Sequence, residues 1–199
     1  MLKARPHVHL SEDRDGFRFR GGHNAIDLPA TLQARLKPVP RELLKTPDDL
    51  ARWLVSAGLV RKAPATNGAD LATARNLREA IYAMADGLVS GASDVPGARA
   101  VINDIAAGAS AIPRLSPRRD VQMIGGATEL LVTLARQAVH LFGSEAADHI
   151  RQCQSPTCTL FFVDTSRSGQ RRWCSMSGCG NKAKVAEFRR RRSEVGTKT

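Results

Sequence analysis

The 199-residue sequence contains no apolar run near the ~18 residues that a membrane-crossing helix needs. Its opening residues, MLKARPHVHLSEDRDGF, lack the apolar centre of a secretory signal. There is no Walker loop, no dinucleotide-binding fingerprint, no internal repeat and no low-complexity segment. No nucleophile–base pair stands out, so catalysis is not expected. The HxH at His7 and His9 offers no metal geometry by itself. Cysteine is absent from the first 152 residues. Together these absences predict a cytoplasmic protein with no membrane partner, whose thiols stay reduced.

What is present is unevenly placed. The net charge is +11, yet residues 1–150 carry 19 Lys/Arg against 16 Asp/Glu. Residues 151–199 carry 11 against 3, so a quarter of the chain holds most of the charge. Such asymmetry points to a polyanion, either nucleic acid or an anionic surface, with a solubilising tail as the plain alternative. Hydrophobic residues make up 42%, enough to bury a core, and charged residues make up 25%, as in ordinary globular proteins.

The fold class expected is α+β: a mainly helical N-terminal domain with a few short strands, over 1–146, then a cysteine module over 147–199. GFRFRGG, Gly16 to Gly22, reads as a short strand, and a short helix is expected from about Pro29. In TPDDLARWLVSAGLV, Thr46 is the N-cap, Pro47 the first helical residue and Gly58 the stop. Leu50, Trp53, Leu54 and Ala57 form its apolar stripe. The polar loop RKAPATNGAD follows instead of a recognition helix, which argues for core packing rather than a helix-turn-helix. Leu71, Ala74, Leu77, Ile81, Ala85 and Leu88 mark a second long helix, and Val101, Ile102 and Ile105 a shorter one. Short strands are expected around 111–115 and 121–124. The most apolar helix is ATELLVTLARQAVHLF, with Leu130, Leu131, Leu134, Ala138 and Leu141 facing a core. His140 on this helix reads as a structural or exposed residue.

All four cysteines fall within 27 residues, in the pattern C-x4-C-x15-C-x4-C: Cys153, Cys158, Cys174 and Cys179. Two close pairs separated by a hairpin-sized spacer suit a tetrahedral zinc site, each pair giving two thiolates from one turn. Two disulfides or unligated thiols are the alternatives. Four thiolates close the shell, so a structural site is expected rather than a catalytic one. In the spacer, Leu160 to Val163 should form a strand, Asp164 to Gln170 a turn, and Arg171 to Trp173 the returning strand. Gly180 would permit a tight approach to the metal, and Asn181 would cap the helix KAKVAEFRRRR. Phe161 or Phe162, Trp173, Val185 and Phe188 would form a small core. Fewer than about 40 residues seldom fold without such a staple. This layout is that of a treble-clef-like zinc module, a β-hairpin followed by a basic helix. The candidate phosphate-contacting residues are Arg167, Arg171, Arg172, Lys182, Lys184, Arg189, Arg190 and Arg192.

The run CQSPTCTLFFVDTSRSGQRRWCSMSGCGNKAKVAEFRRRR resembles the CGNR zinc finger, through both cysteine pairs, FF-x-D-x-S, R-R-W-C-S-M and C-G-N. The earlier stretches FRF, AIDL, LLKTPDDLARWLVSAGL and N-L-R-E-A resemble that family's usual partner, the ABATE-type domain of stress-induced transcription regulators. The resemblance implies Zn2+ on Cys153, Cys158, Cys174 and Cys179 and a bacterial transcription-regulator role. Two departures stand out. The signature arginine is Lys182 here, which keeps the charge but loses the bidentate fork. Pro29-Ala30 replaces a more polar, asparagine-containing run after AIDL. DNA is the expected partner, with RNA or an acidic protein as alternatives. A homodimer is possible, and the sequence names no small-molecule effector.

Overall fold

The computed structural model describes residues 12–92 and 94–196. His7 and His9 lie outside the described residues. The fold is α+β, about half helical, with its strands in short antiparallel pairs.

The chain enters as a two-residue hairpin. β1 (Asp13–Arg14) pairs with β2 (Phe17–Arg18), and Asp15 and Gly16 turn between them at φ 49° and 80°. Two left-handed residues in succession give the turn twist that fits a tight hairpin, and Asp-Gly suits it. The helix expected from about Pro29 begins earlier, as α1 (Asn24–Asp27). His23 caps it, its Nδ1 accepting from the Ala25 amide at 3.3 Å. Pro29 instead sits in the first turn of a following 3-10 segment, Leu28–Thr31. β3 (Leu32–Gln33) then pairs with β4 (Arg41–Glu42).

α2 (Pro47–Ser56) starts where the sequence placed it. Thr46 accepts from the Asp49 amide while Asp49 accepts from the Thr46 amide, a capping box that satisfies two otherwise orphaned donors. α3 (Gly68–Ser90) is the central helix, capped by Asn67 and Asp70 and ended by Gly91 at φ 82°. α4 (Pro96–Ala106) packs against α3, and against α5 (Ala127–Phe142). Between α4 and α5 lies the hairpin of β5 (Ile112–Leu115) and β6 (Val121–Ile124), mostly exposed. The stripes read from the sequence face inward. Leu50, Trp53, Leu54, Leu77, Ile81, Leu130 and Leu134 are fully buried, whereas Leu88 is partly exposed and His140 lies on the surface. Each such burial stabilises by roughly 1.5–3 kcal/mol, before the entropy of ordering is subtracted. No helix among the described residues is long and apolar enough to cross a membrane.

The last strand pair joins β7 (Ile150–Gln152) to β8 (Phe161–Val163). This corrects the expected hairpin: β8 pairs with the segment before the first cysteine, not with Arg171–Trp173. Strand alternation then sends neighbouring side chains to opposite faces. Phe161 and Val163 enter the large core, where Phe161 meets Tyr82 edge-on at 5.2 Å, while Phe162 enters a small second core. The Val163 amide donates to the Gly21 carbonyl at 2.8 Å. Packing is therefore continuous from the helices into the cysteine module.

Candidate metal centre and basic face

The first knuckle grows directly out of β7. The Cys153 amide donates to the Leu160 carbonyl at 2.9 Å, and the Cys158 amide closes a turn onto Ser155 at 2.9 Å. The Gln154 amide donates to the Arg172 carbonyl at 3.0 Å, bringing the second half of the module alongside the first. Asp164 is buried and organises the loop between them. It accepts from the Ser166 amide at 2.9 Å and the Arg171 amide at 2.8 Å. Burial alone would raise its pKa, but these amides and the Arg171 charge hold it below the ordinary carboxylate value.

The second knuckle is shaped by Ser175. Its hydroxyl accepts from the Gly178 amide at 3.2 Å, and its carbonyl accepts from the Gly180 amide at 3.0 Å. The chain makes a π-helical turn, Met176–Gly180, and runs straight on into α6 (Asn181–Gly196). Ser175 rather than Asn181 is thus the cap, because the helical path begins six residues before the expected start. The close approach at Gly180 is to the side chains of Met176 and Trp173. A Cβ there would lie 2.7 Å from Met176 Sδ and 3.2 Å from Trp173 Cδ1.

The four Sγ atoms lie within 4.8 Å of one another. Cys158–Cys174 is 3.8 Å and Cys174–Cys179 is 3.7 Å. Zinc–sulfur arms of ~2.3 Å at the tetrahedral angle put sulfurs about 3.8 Å apart, so the set has the size of a Zn2+ shell. No disulfide joins the four cysteines in this structure. Left to themselves they cannot all ionise. S–H donation from Cys158 and Cys174 draws the Cys153 pKa down to about 2. The same sharing pushes Cys158 up to about 12 and raises Cys174 further. A divalent cation resolves that conflict by compensating the charge of four adjacent thiolates.

The small core behind the cysteines consists of Phe162, Leu160 and Ala30, with Trp173 half-buried beside them. Ala30 belongs to the Pro29-Ala30 departure, so that position serves packing against the knuckles. Val185 and Phe188 do not join this core. They are 49% and 63% exposed, because α6 projects its polar sides and its few apolar residues alike into solvent.

Arg171 differs from the other expected phosphate contacts. Its Nε donates to the Trp173 carbonyl at 2.9 Å and its Nη2 to the Arg20 carbonyl at 3.2 Å and to the Cys174 carbonyl. Its guanidinium also lies 4.3 Å from the centre of the Phe162 ring. One side chain thereby ties the N-terminal segment to the second knuckle. Arg172 donates to Gln154 Oε1 at 2.6 Å and covers Trp173 at 5.1 Å. Arg190 and Arg191 pair with Glu187 at 2.9 and 2.8 Å. Arg167, Lys182, Lys184, Arg189, Arg190 and Arg192 are exposed. They do not converge on one point; five lie along α6 and Arg167 lies on the loop after β8.

Sequence reasoning missed Asp27. It is 4% exposed, accepts from the Gly21 amide at 2.7 Å and faces Arg14 and Arg171. Burial raises its pKa to about 7 despite those partners. AIDL carried the residue, but nothing local in the sequence signalled its burial.

A mainly helical domain packed onto a four-cysteine zinc module is the class that this fold and site define. The comparisons with known families agree. The model of the ABATE family, described as "putative stress-induced transcription regulator", matches residues 22–145, and that of the CGNR zinc finger matches residues 149–192. The chain belongs to the ABATE family and carries a CGNR zinc finger, with Zn2+ as its cofactor. No curated protein matches it.

Proposed function

We propose that this protein is a transcription regulator that binds DNA through its zinc module. Cys153, Cys158, Cys174 and Cys179 are the zinc ligands in this reading. When bound, Zn2+ cross-links the two knuckles and fixes the origin of α6. Four cysteine ligands fill a tetrahedral shell and leave no position for water or substrate, which makes the site structural.

The observation that carries the reading is the cationic surface raised on that anchor. Lys182, Lys184, Arg189, Arg190 and Arg192 are exposed on α6, and Arg167 is exposed on the loop between β8 and the second knuckle. Each phosphate contact releases counterions and adds salt-dependent affinity. Arg172 joins this surface through its position beside Trp173. Arg171 acts differently, holding the second knuckle in place. These residues position the module on the phosphate backbone; base readout falls to whichever of them reaches a groove. The test is fragment selection. Zinc-loaded protein is mixed with sheared genomic DNA and excess non-specific DNA near physiological salt, and the retained fragments are sequenced. Enrichment of a few sites sharing a motif is the expected result, whereas uniform weak retention would contradict sequence-specific regulation.

One observation favours RNA as a second reading. Trp173 is half-buried beside a groove of about 550 Å³ that also carries Arg172, Ser166, Ser168, Gln170 and Met176. An aromatic ring next to an arginine can stack an unpaired base. Quenching of tryptophan fluorescence by single-stranded RNA but not by duplex DNA would select this reading.

A further inference from the structure

A second basic groove lies where the N-terminal domain meets the first knuckle. It encloses about 300 Å³ and is lined by Arg18 of β2, Gln33 of β3, Lys37, Thr157 and Lys182 at the start of α6. Among the described residues, no aspartate or glutamate borders it. Arg18, Lys37 and Lys182 are exposed and make no ion pair among the described residues. Their neighbours behave differently: Arg20 pairs with Asp13, Arg35 with Glu79 and Arg52 with Asp15. Lys37 is presented by a tight turn in which Ala34 adopts φ 54° and accepts from the Lys37 amide at 2.9 Å. A non-glycine residue in the left-handed region costs roughly 1 kcal/mol or more, so the turn is held against a local preference.

This groove runs into another. Lys182 also borders a shallow trough of about 420 Å³ along α6, with Ser177, Asn181, Ala186 and Arg189, again without an acidic residue among those described. Lys182 and Arg189 are seven positions apart and so lie on one face of the helix. Lys182 borders both grooves, so the two flank one side chain and we read them as one track from β2, across the zinc knuckle, onto α6. Cys158 and Cys179 lie at the back of the inner groove, and the zinc centre carries about −2. Arg18, Lys37 and Lys182 together outweigh that charge. The opposite side of the module is less suitable, since Glu12 borders it and Arg171 and Arg172 are already engaged with carbonyl oxygens.

We propose that this track holds the sugar–phosphate backbone of one strand, and that Arg18 and Lys37 of the N-terminal region contact its phosphates together with Lys182. The proposal rests on the nucleic-acid reading above. It adds that the helical domain is part of the binding surface and not only an appendage to the zinc finger.

The test measures fluorescence anisotropy of a labelled mixed-sequence duplex bound to the full-length, zinc-loaded protein across a salt series. Arg18→Ala/Lys37→Ala is compared with Arg189→Ala/Arg192→Ala and with the unmodified protein, zinc content being measured for each. Loss of two phosphate contacts should weaken binding about tenfold and reduce the slope of log K against log salt by about 2. Zinc content should be unchanged. Lys37→Gln alone, on an exposed loop, should reduce the slope by about 1 and guards against misfolding of the double variant. If Arg18→Ala/Lys37→Ala binds with the original affinity and slope while Arg189→Ala/Arg192→Ala weakens, the track is overturned and the zinc-module reading stands. If the unmodified protein binds no duplex even at low salt, both fall.

Discussion

The helical region and the cysteine module hold their shapes by different means. The first buries a broad apolar core in which Trp53, Leu54, Leu77, Ile81, Leu130 and Leu134 are fully enclosed. The second owns little more than Phe162, Leu160, Ala30 and the cysteines themselves. A core that small does not offset the entropy of ordering some 45 residues, so metal binding and folding are coupled there. The two regions are nonetheless joined: Phe161 and Val163 face one core while Phe162 between them faces the other. The lesson is that the module has a firm root and a dependent tip. β7 and β8 are held by the large core, whereas in the proposed reading the knuckles and α6 are held by zinc.

Removing zinc breaks that comparison most sharply. Chelation, or Cys174→Ser, should abolish zinc content and DNA binding and melt the origin of α6, leaving α2 to α5 folded. Hydrogen exchange should show loss of protection in 153–180 and retained protection in α3 and α5. Equal loss in both regions would mean that the helices depend on the metal too. Trp53→Ala probes the other side. A large cavity in the main core should cost about 3–5 kcal/mol in denaturant unfolding while zinc stoichiometry in the folded protein stays unchanged.

Two further variants sharpen the junction. Asp27 has a raised pKa, so between about pH 4 and about pH 7 the folded state keeps a proton that the unfolded chain releases. Stability should therefore fall as pH rises through that window and level off above it, and Asp27→Asn should flatten the trend. Unfolding midpoints at several pH values would check this; an unchanged profile in the variant would assign the dependence elsewhere. The smallest effect expected is at the α2 cap, where Thr46→Ala should cost about 1 kcal/mol without changing zinc or DNA affinity.

The sequence revealed those parts of the molecule that local chemistry decides. Thr46, Pro47 and Asp49 mark the start of α2 because capping acts within four residues. Four cysteines in matched pairs mark the candidate metal centre because their spacing brings four sulfurs together, and they are the cluster of metal-ligating residues found among the described residues. Long-range choices were less legible. β8 pairs with Ile150–Gln152 because Asp164 draws the chain into a loop through the Ser166 and Arg171 amides, leaving Arg171–Trp173 to pass alongside by a single backbone bond to Gln154. Asn181 looked like a cap, but Ser175 had already begun the helical path. Val185 and Phe188 looked like core residues because their spacing is helical, yet nothing in the spacing says whether a partner element exists. Arg171 read as one more cation, and only the fold shows its guanidinium on the carbonyls of Arg20, Trp173 and Cys174.

The most direct test of the account is DNA binding by the same protein sample before chelation, after chelation and after zinc is restored. The account predicts salt-sensitive binding of duplex DNA that is lost with the metal and recovered with it. Undiminished binding by the zinc-free protein would show that the arginines act as an unstructured polycation, and would contradict a zinc-anchored DNA-binding surface.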